Sequence, residues 1–164
     1  MKKVLVAAIA VFSFGFSNAQ DVNFGVKAGL MASSYDYGAT TYYGYGSIGG
    51  SNASDAGAFA GGFVDFAITD KFRLQPEVLL TIVPDNLGLS VPVMLKYSFF
   101  EKFYAMAGPG LNYSFDAISD EFSPSLNLGA SYDIMENLFV DARADIGISG
   151  YLGTNILAGV GYRF

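Results

Sequence analysis

The sequence predicts an all-β fold: an eight-stranded antiparallel up-and-down transmembrane β-barrel. Three observations predict it. Beyond residue 20 the hydropathy alternates with a period of two, the signature of strands with two unlike faces. The alternating segments are about 11 residues or longer, and about 11 residues rise roughly 36 Å along a strand, which at a tilt of about 40° covers the apolar band of an outer membrane. The charges within these segments all fall on one face.

Composition narrows the chemistry. The chain has 164 residues, 15 Phe and 11 Tyr, but no His, Cys or Trp, and 15% of its residues are charged. A soluble domain carries about 25%. Without histidine there is no Ser–His or Cys–His catalysis and no imidazole-bound metal. Without cysteine there is no disulfide, thiolate site or lipid anchor on sulfur. A net charge of −6 argues against nucleic acid as a partner. The expectation is a protein that is not an enzyme and has no cofactor or metal.

Taken in order, residues 1–19 read as a signal peptide. Lys2 and Lys3 precede an apolar run from Val4 to Phe16, and Ser17-Asn18-Ala19 offers small residues before a cut at Gln20. The run is shorter than the ~20 residues of a spanning helix. Residues 20–164 then form one barrel domain. Its strands are predicted at 22–33, 56–68, 72–83, 87–99, 102–116, 122–134, 137–148 and 154–164. In 72–83, Phe72, Leu74, Pro76, Val78, Leu80 and Ile82 share a face, opposite Arg73, Gln75, Glu77, Leu79 and Thr81. Thr69-Asp70-Lys71, Phe100-Glu101 and Met135-Glu136 are tight polar turns that alternate with the other connections, of which 34–55 is long. Short turns face the periplasm in such barrels, and an even strand count leaves both chain ends there. Pro76, Pro92, Pro109 and Pro124 fall inside strands, where a missing donor predicts bulges or strand ends.

If the apolar face meets lipid, the other face lines the lumen. That face carries Lys27, Arg73, Lys96, Arg143 and Arg163 against Asp65, Glu77, Asp133, Asp141 and Asp145. A lipid-facing charge at mid-depth costs roughly 2–4 kcal/mol, which accounts for the segregation. A soluble sandwich would instead present a surface crowded with unpaired charge. The balanced set predicts a salt-bridge network, with Glu77 placed to face Lys96. Eight strands leave an interior only wide enough for side chains, so the lumen is expected to be plugged. Asp141, Arg143 and Asp145 read as part of that filling rather than as acid–base catalysts. Aromatics are expected in two interface belts. Tyr97, Phe99, Phe100, Phe103, Tyr104, Tyr132, Phe139, Tyr162 and Phe164 lie toward the short turns or the C-terminus, and Tyr113, Phe115, Phe122 and Tyr151 toward the other end.

The long first loop gathers Tyr35, Asp36, Tyr37, Tyr42, Tyr43 and Tyr45 among glycines, a candidate surface-binding loop. Gly44-Tyr45-Gly46-Ser47-Ile48-Gly49 has the letters of a dinucleotide fingerprint but no helix to follow it. Asp116, Asp120 and Glu121 cluster without the spacing of a calcium loop.

Several stretches together resemble the Bacteroidetes-type outer-membrane β-barrel domain family that includes PorT-like proteins. They are Phe24-Gly25-Val26-Lys27-Ala28-Gly29-Leu30, Leu74-Gln75-Pro76-Glu77, Val91-Pro92-Val93-Met94-Leu95-Lys96-Tyr97, Gly108-Pro109-Gly110-Leu111 and Gly161-Tyr162-Arg163-Phe164. The resemblance implies eight strands that tolerate these prolines. It also implies that Tyr162 and Phe164 belong to the signal read by the barrel-assembly machinery. The family has no shared catalytic residues to carry over.

The expected protein is a non-catalytic integral barrel of the bacterial outer membrane, with a salt-bridged, plugged lumen and a structural or surface-interaction role through its loops. The alternatives are a narrow conduit for small solutes or ions, an accessory barrel in protein secretion, or a lipid-acting enzyme working without histidine. Outer-membrane lipid and the assembly machinery are the expected partners of a monomer, and the extracellular partner is left open.

Overall fold

A computed structural model describes residues 22–36, 52–84, 86–115, 122–148 and 153–164. Eight strands follow one another: β1 (Val22–Asp36), β2 (Asn52–Ala67), β3 (Phe72–Val83), β4 (Asn86–Phe100), β5 (Phe103–Ser114), β6 (Phe122–Asp133), β7 (Leu138–Gly147) and β8 (Gly153–Arg163). Each pairs antiparallel with its sequence neighbour, and β8 returns to β1, closing the barrel. The closing register runs from Gly25 opposite Arg163 to Tyr35 opposite Gly153. Closure pairs the backbone groups that lipid cannot hydrogen-bond.

The predicted fold class stands. The first loop is shorter than predicted, because β1 continues through Asp36 and β2 begins at Asn52. Small and polar residues at 33–36 and 52–55 hid this extension, yet their register holds up to Asp36 opposite Asn52. Segments 68–71, 101–102 and 134–137 turn the chain at one end. In the first of them, the amides of Ile68 and Thr69 donate to the Phe72 carbonyl, and the Thr69 hydroxyl accepts from the Phe72 amide at 3.0 Å. Not every connection at the opposite end is long, since β3 and β4 are joined through residues 84–85 alone.

The prolines do not produce the predicted bulges. Pro76 loses its pairing toward β2, Pro92 toward β3 and Pro109 toward β4, but the register is the same on either side of each gap. Each proline keeps a partner on its other side: Val93, Gly110 and Leu126 respectively. A residue in an antiparallel ladder donates toward one neighbour only, so each proline turns its donorless nitrogen to the interrupted side. Pro124 pairs with Leu111 near the start of β6. Among the described residues the register shifts only between Ser98 and Phe100, at a short turn.

The two faces separate as the sequence requires. Leu30, Val78, Leu80, Ile82, Leu95, Leu128, Ile156 and Val160 are exposed on the outside. Lys27, Asp65, Glu77, Lys96, Asp141, Arg143 and Asp145 are buried inside. For a soluble protein this is inverted, and lipid is the solvent that reconciles it.

Candidate functional site in the barrel lumen

The lumen holds two ionic clusters and an aromatic hub. In the first, Glu77 of β3 is central. Lys27 Nζ lies 3.2 Å from Glu77 Oε1 and 2.5 Å from Asp141 Oδ2, and Arg143 Nη1 donates to Glu77 Oε2 at 2.8 Å. Two cations meet two carboxylates, as burial demands. In the second, toward the short turns, Arg73 Nε donates to Asp65 Oδ1 at 2.7 Å, and Arg163 Nη2 to Asp133 Oδ1 at 2.8 Å. Lys96 and Arg163 also approach Asp65 Oδ2, at 3.7 and 3.6 Å. Gln75 joins the clusters: Lys96 donates to its Oε1 at 3.1 Å, and its Nε2 donates to Glu77 at 2.7 Å. Glu77 therefore meets Lys96 only through Gln75, not directly as the strand faces suggested. Asp145 joins neither cluster. Its carboxylate accepts from Asn112 Nδ2 at 2.8 Å and from Asn127 Nδ2 at 3.4 Å.

Phe139 is the hub, with 0% of its surface exposed. Lys27, Lys96 and Arg163 stand 6.0, 5.1 and 4.6 Å from its ring centroid, and Phe63 packs edge-on at 5.4 Å. These distances suit cation–π attraction, strongest away from water. Lys96 also stands 4.9 Å from the Tyr104 ring. The expectation that Phe139 and Tyr104 join an interface belt is therefore overturned. Phe139 shares the parity of Asp141, Arg143 and Asp145, and Tyr104 that of Met106, so both point inward. Nearness to a turn misled where parity was decisive.

The wall leaves room for the rings by using glycine. A Cβ on Gly161 would come within 2.2 Å of Phe139, and one on Gly25 within 2.2 Å of Phe63. Above the first cluster, Met31, Phe59, Leu79 and Leu157 form an apolar layer across the lumen. The salt-bridge pattern in the sequence did not point to this layer. Its signal was the alternation itself, which puts Phe59 and Phe63 on the face of Asp65.

Outside, rings gather toward the short turns. Phe72, Tyr97 and Phe99 form a chain with centroids 5.0 and 4.9 Å apart, and Tyr162 meets Phe164 at 5.6 Å. Tyr113 packs with Phe115 and Phe122 at the other end, at 5.0 and 4.9 Å. Phe164 is 73% exposed beside Tyr162. Residues 1–19, read above as a signal peptide, Tyr37, Tyr42, Tyr43, Tyr45 and the glycine motif around them, Tyr151, and the acidic residues Asp116, Asp120 and Glu121 lie outside the described residues. So does the side chain of Tyr35.

The same fold is found among solved membrane barrels. A de novo designed transmembrane β-barrel superposes with a TM-score of 0.57 at 13% identity, covering 89% of this chain and 99% of that one. Ail, the attachment invasion locus protein of Yersinia pestis, gives 0.52 at 15%, covering 88% of this chain and all of Ail. Neisserial surface protein A gives 0.50 at 19%, covering 88% and 100%. No family model and no curated sequence matches the chain. The fold is that of the eight-stranded outer-membrane barrels, and the chain's apolar exterior places it in the bacterial outer membrane.

Proposed function

We propose that this chain is a non-catalytic outer-membrane barrel with a plugged lumen, serving a structural or surface-interaction role. The observation that carries the reading is the filled interior: Glu77, Lys96 and Phe139 are fully buried and tied to groups from β1, β2, β3, β7 and β8. Side chains so engaged occupy the middle of the lumen, which weighs against the solute conduit. A histidine-free lumen in which Asp65, Glu77, Asp133 and Asp141 are held by cations weighs against lipid chemistry.

The segments joining β1 to β2, β3 to β4, β5 to β6 and β7 to β8 contain no Lys or Arg. Ail has been solved with a heparin analogue, sucrose octasulfate. The charge here disfavours such a polyanion, so a surface partner of this chain is neutral or cationic and met through the tyrosines of residues 35–45. The resemblance of the quoted stretches supports a place among PorT-like barrels, with residues 1–19 removed on export and Tyr162 and Phe164 read by the assembly machinery as a monomer inserts. A role in secretion is not adopted, since the connections at this end look short for it.

The test is conductance. In planar bilayers the refolded barrel, shown intact by a gel mobility that changes on heating, gives no steady channels. Stable openings of appreciable size would overturn the plugged-lumen reading.

A further inference from the structure

Above the apolar layer, toward the ends of β3, β4 and β5 farthest from the short turns, a polar chamber of about 110 Å³ lies against Asp145. Asp145 is 4% exposed, and among the described residues no Lys or Arg pairs with it. Among the described residues none is free to do so. Of the chain's nine basic residues, Lys2 and Lys3 open the sequence, and Lys71 and Lys102 sit at the short turns. Arg73, Lys96 and Arg163 serve the cluster around Asp65, and Lys27 and Arg143 hold Glu77 and Asp141. The two amides that donate to Asp145 stabilise its charge without neutralising it. A buried charge without a counter-charge is expensive.

Two further oxygens look for a partner. Ser33 lines the same chamber fully buried, and its hydroxyl has none; neither has the buried Oδ1 of Asn127, beside Asp145. Ser90, Asn112 and Asn155 add neutral polar groups to the wall.

We propose that this chamber binds a small monovalent cation, with Asp145 as its counter-charge and neutral oxygens around it. One carboxylate matches one positive charge, whereas calcium gathers several carboxylates. The volume admits an alkali ion with a few waters, at roughly 30 Å³ of liquid each. The apolar floor of Met31 and Leu157 keeps the ion from the cluster below. The inference concerns bound cation rather than conduction, so it stands apart from the plugged-lumen reading.

The experiment compares heat unfolding of the detergent-folded barrel, followed by gel mobility, at equal ionic strength in sodium, potassium or N-methyl-D-glucamine chloride. The expected result is a midpoint a few degrees higher in sodium or potassium, since a ligand bound only by the folded state raises it. Asp145→Asn, which keeps the shape and loses the charge, abolishes the difference. Asp133→Asn, in the other cluster, retains it. Equal midpoints in the three salts, or a preference surviving Asp145→Asn, overturn the proposal. Should Asp145→Asn not fold, sodium-23 line broadening on the unmodified barrel decides. Broadening relieved by excess potassium supports the site, and its absence sinks it.

Discussion

Glu77→Gln is the most telling perturbation of the lumen. The side chain keeps its shape and one carbonyl acceptor but loses its charge. Lys27 retains Asp141 at 2.5 Å, whereas Arg143 loses the 2.8 Å pairing that neutralises it. The cluster, balanced at two positive and two negative groups, is left with one uncompensated cation out of reach of water. Removing one partner of a buried ion pair costs about 3–5 kcal/mol, dominated by the charge left behind. Retaining an acceptor places this change near the lower end, about 3 kcal/mol. Adding Arg143→Met restores balance around the intact Lys27–Asp141 pair. The double variant is therefore more stable than Glu77→Gln alone, with a coupling of about 2 kcal/mol or more between the two sites. The assay is urea unfolding of barrels refolded in lipid vesicles, scored by gel mobility and tyrosine emission. A loss below about 1 kcal/mol for Glu77→Gln, or additive losses in the pair, would refute the account of a desolvated, mutually neutralised cluster.

Other outcomes follow from the same wall and lumen. Gly161→Ala puts a Cβ against three atoms of the Phe139 ring and lowers stability by about 1–3 kcal/mol; combined with Phe139→Leu it costs no more than Phe139→Leu alone, as paired unfolding curves check. Val78→Arg, on the lipid face of β3, costs roughly 2–4 kcal/mol in vesicles, whereas Phe99→Arg beside the short turn costs about 1 kcal/mol or less. Phe164→Ala leaves the stability of refolded protein nearly unchanged because the ring is largely exposed, but slows insertion in cells, read as unfolded chain accumulating over time.

The exterior was legible in the sequence because lipid imposes a simple rule, and every strand interior obeys it. Parity assigned Lys27, Asp65, Glu77, Lys96 and Arg143 to one face without reference to any neighbour. Pairing was less legible. Which carboxylate meets which cation depends on register across strands far apart in sequence, and Lys27 reaches both Glu77 and Asp141. Asp145 shows the limit well. It shares a strand and a face with Asp141 and Arg143, and only the third dimension reveals an apolar layer above the Glu77 cluster and amides rather than cations at its carboxylate. Gln75 carried no charge to draw attention, yet it is the residue that bridges the two clusters.

The join between β1 and β8 unites residues near the start of the barrel with its last ones. Until the C-terminal segment arrives, β1 and β7 each present a raw rim of donors and acceptors that hydrocarbon cannot satisfy. Contacts spanning nearly the whole chain are also the slowest to form. A partial polypeptide therefore has no stable resting place in the bilayer, and insertion is completed as a ring or abandoned. Loops can lengthen or shorten freely, but losing a single strand forfeits the cylinder.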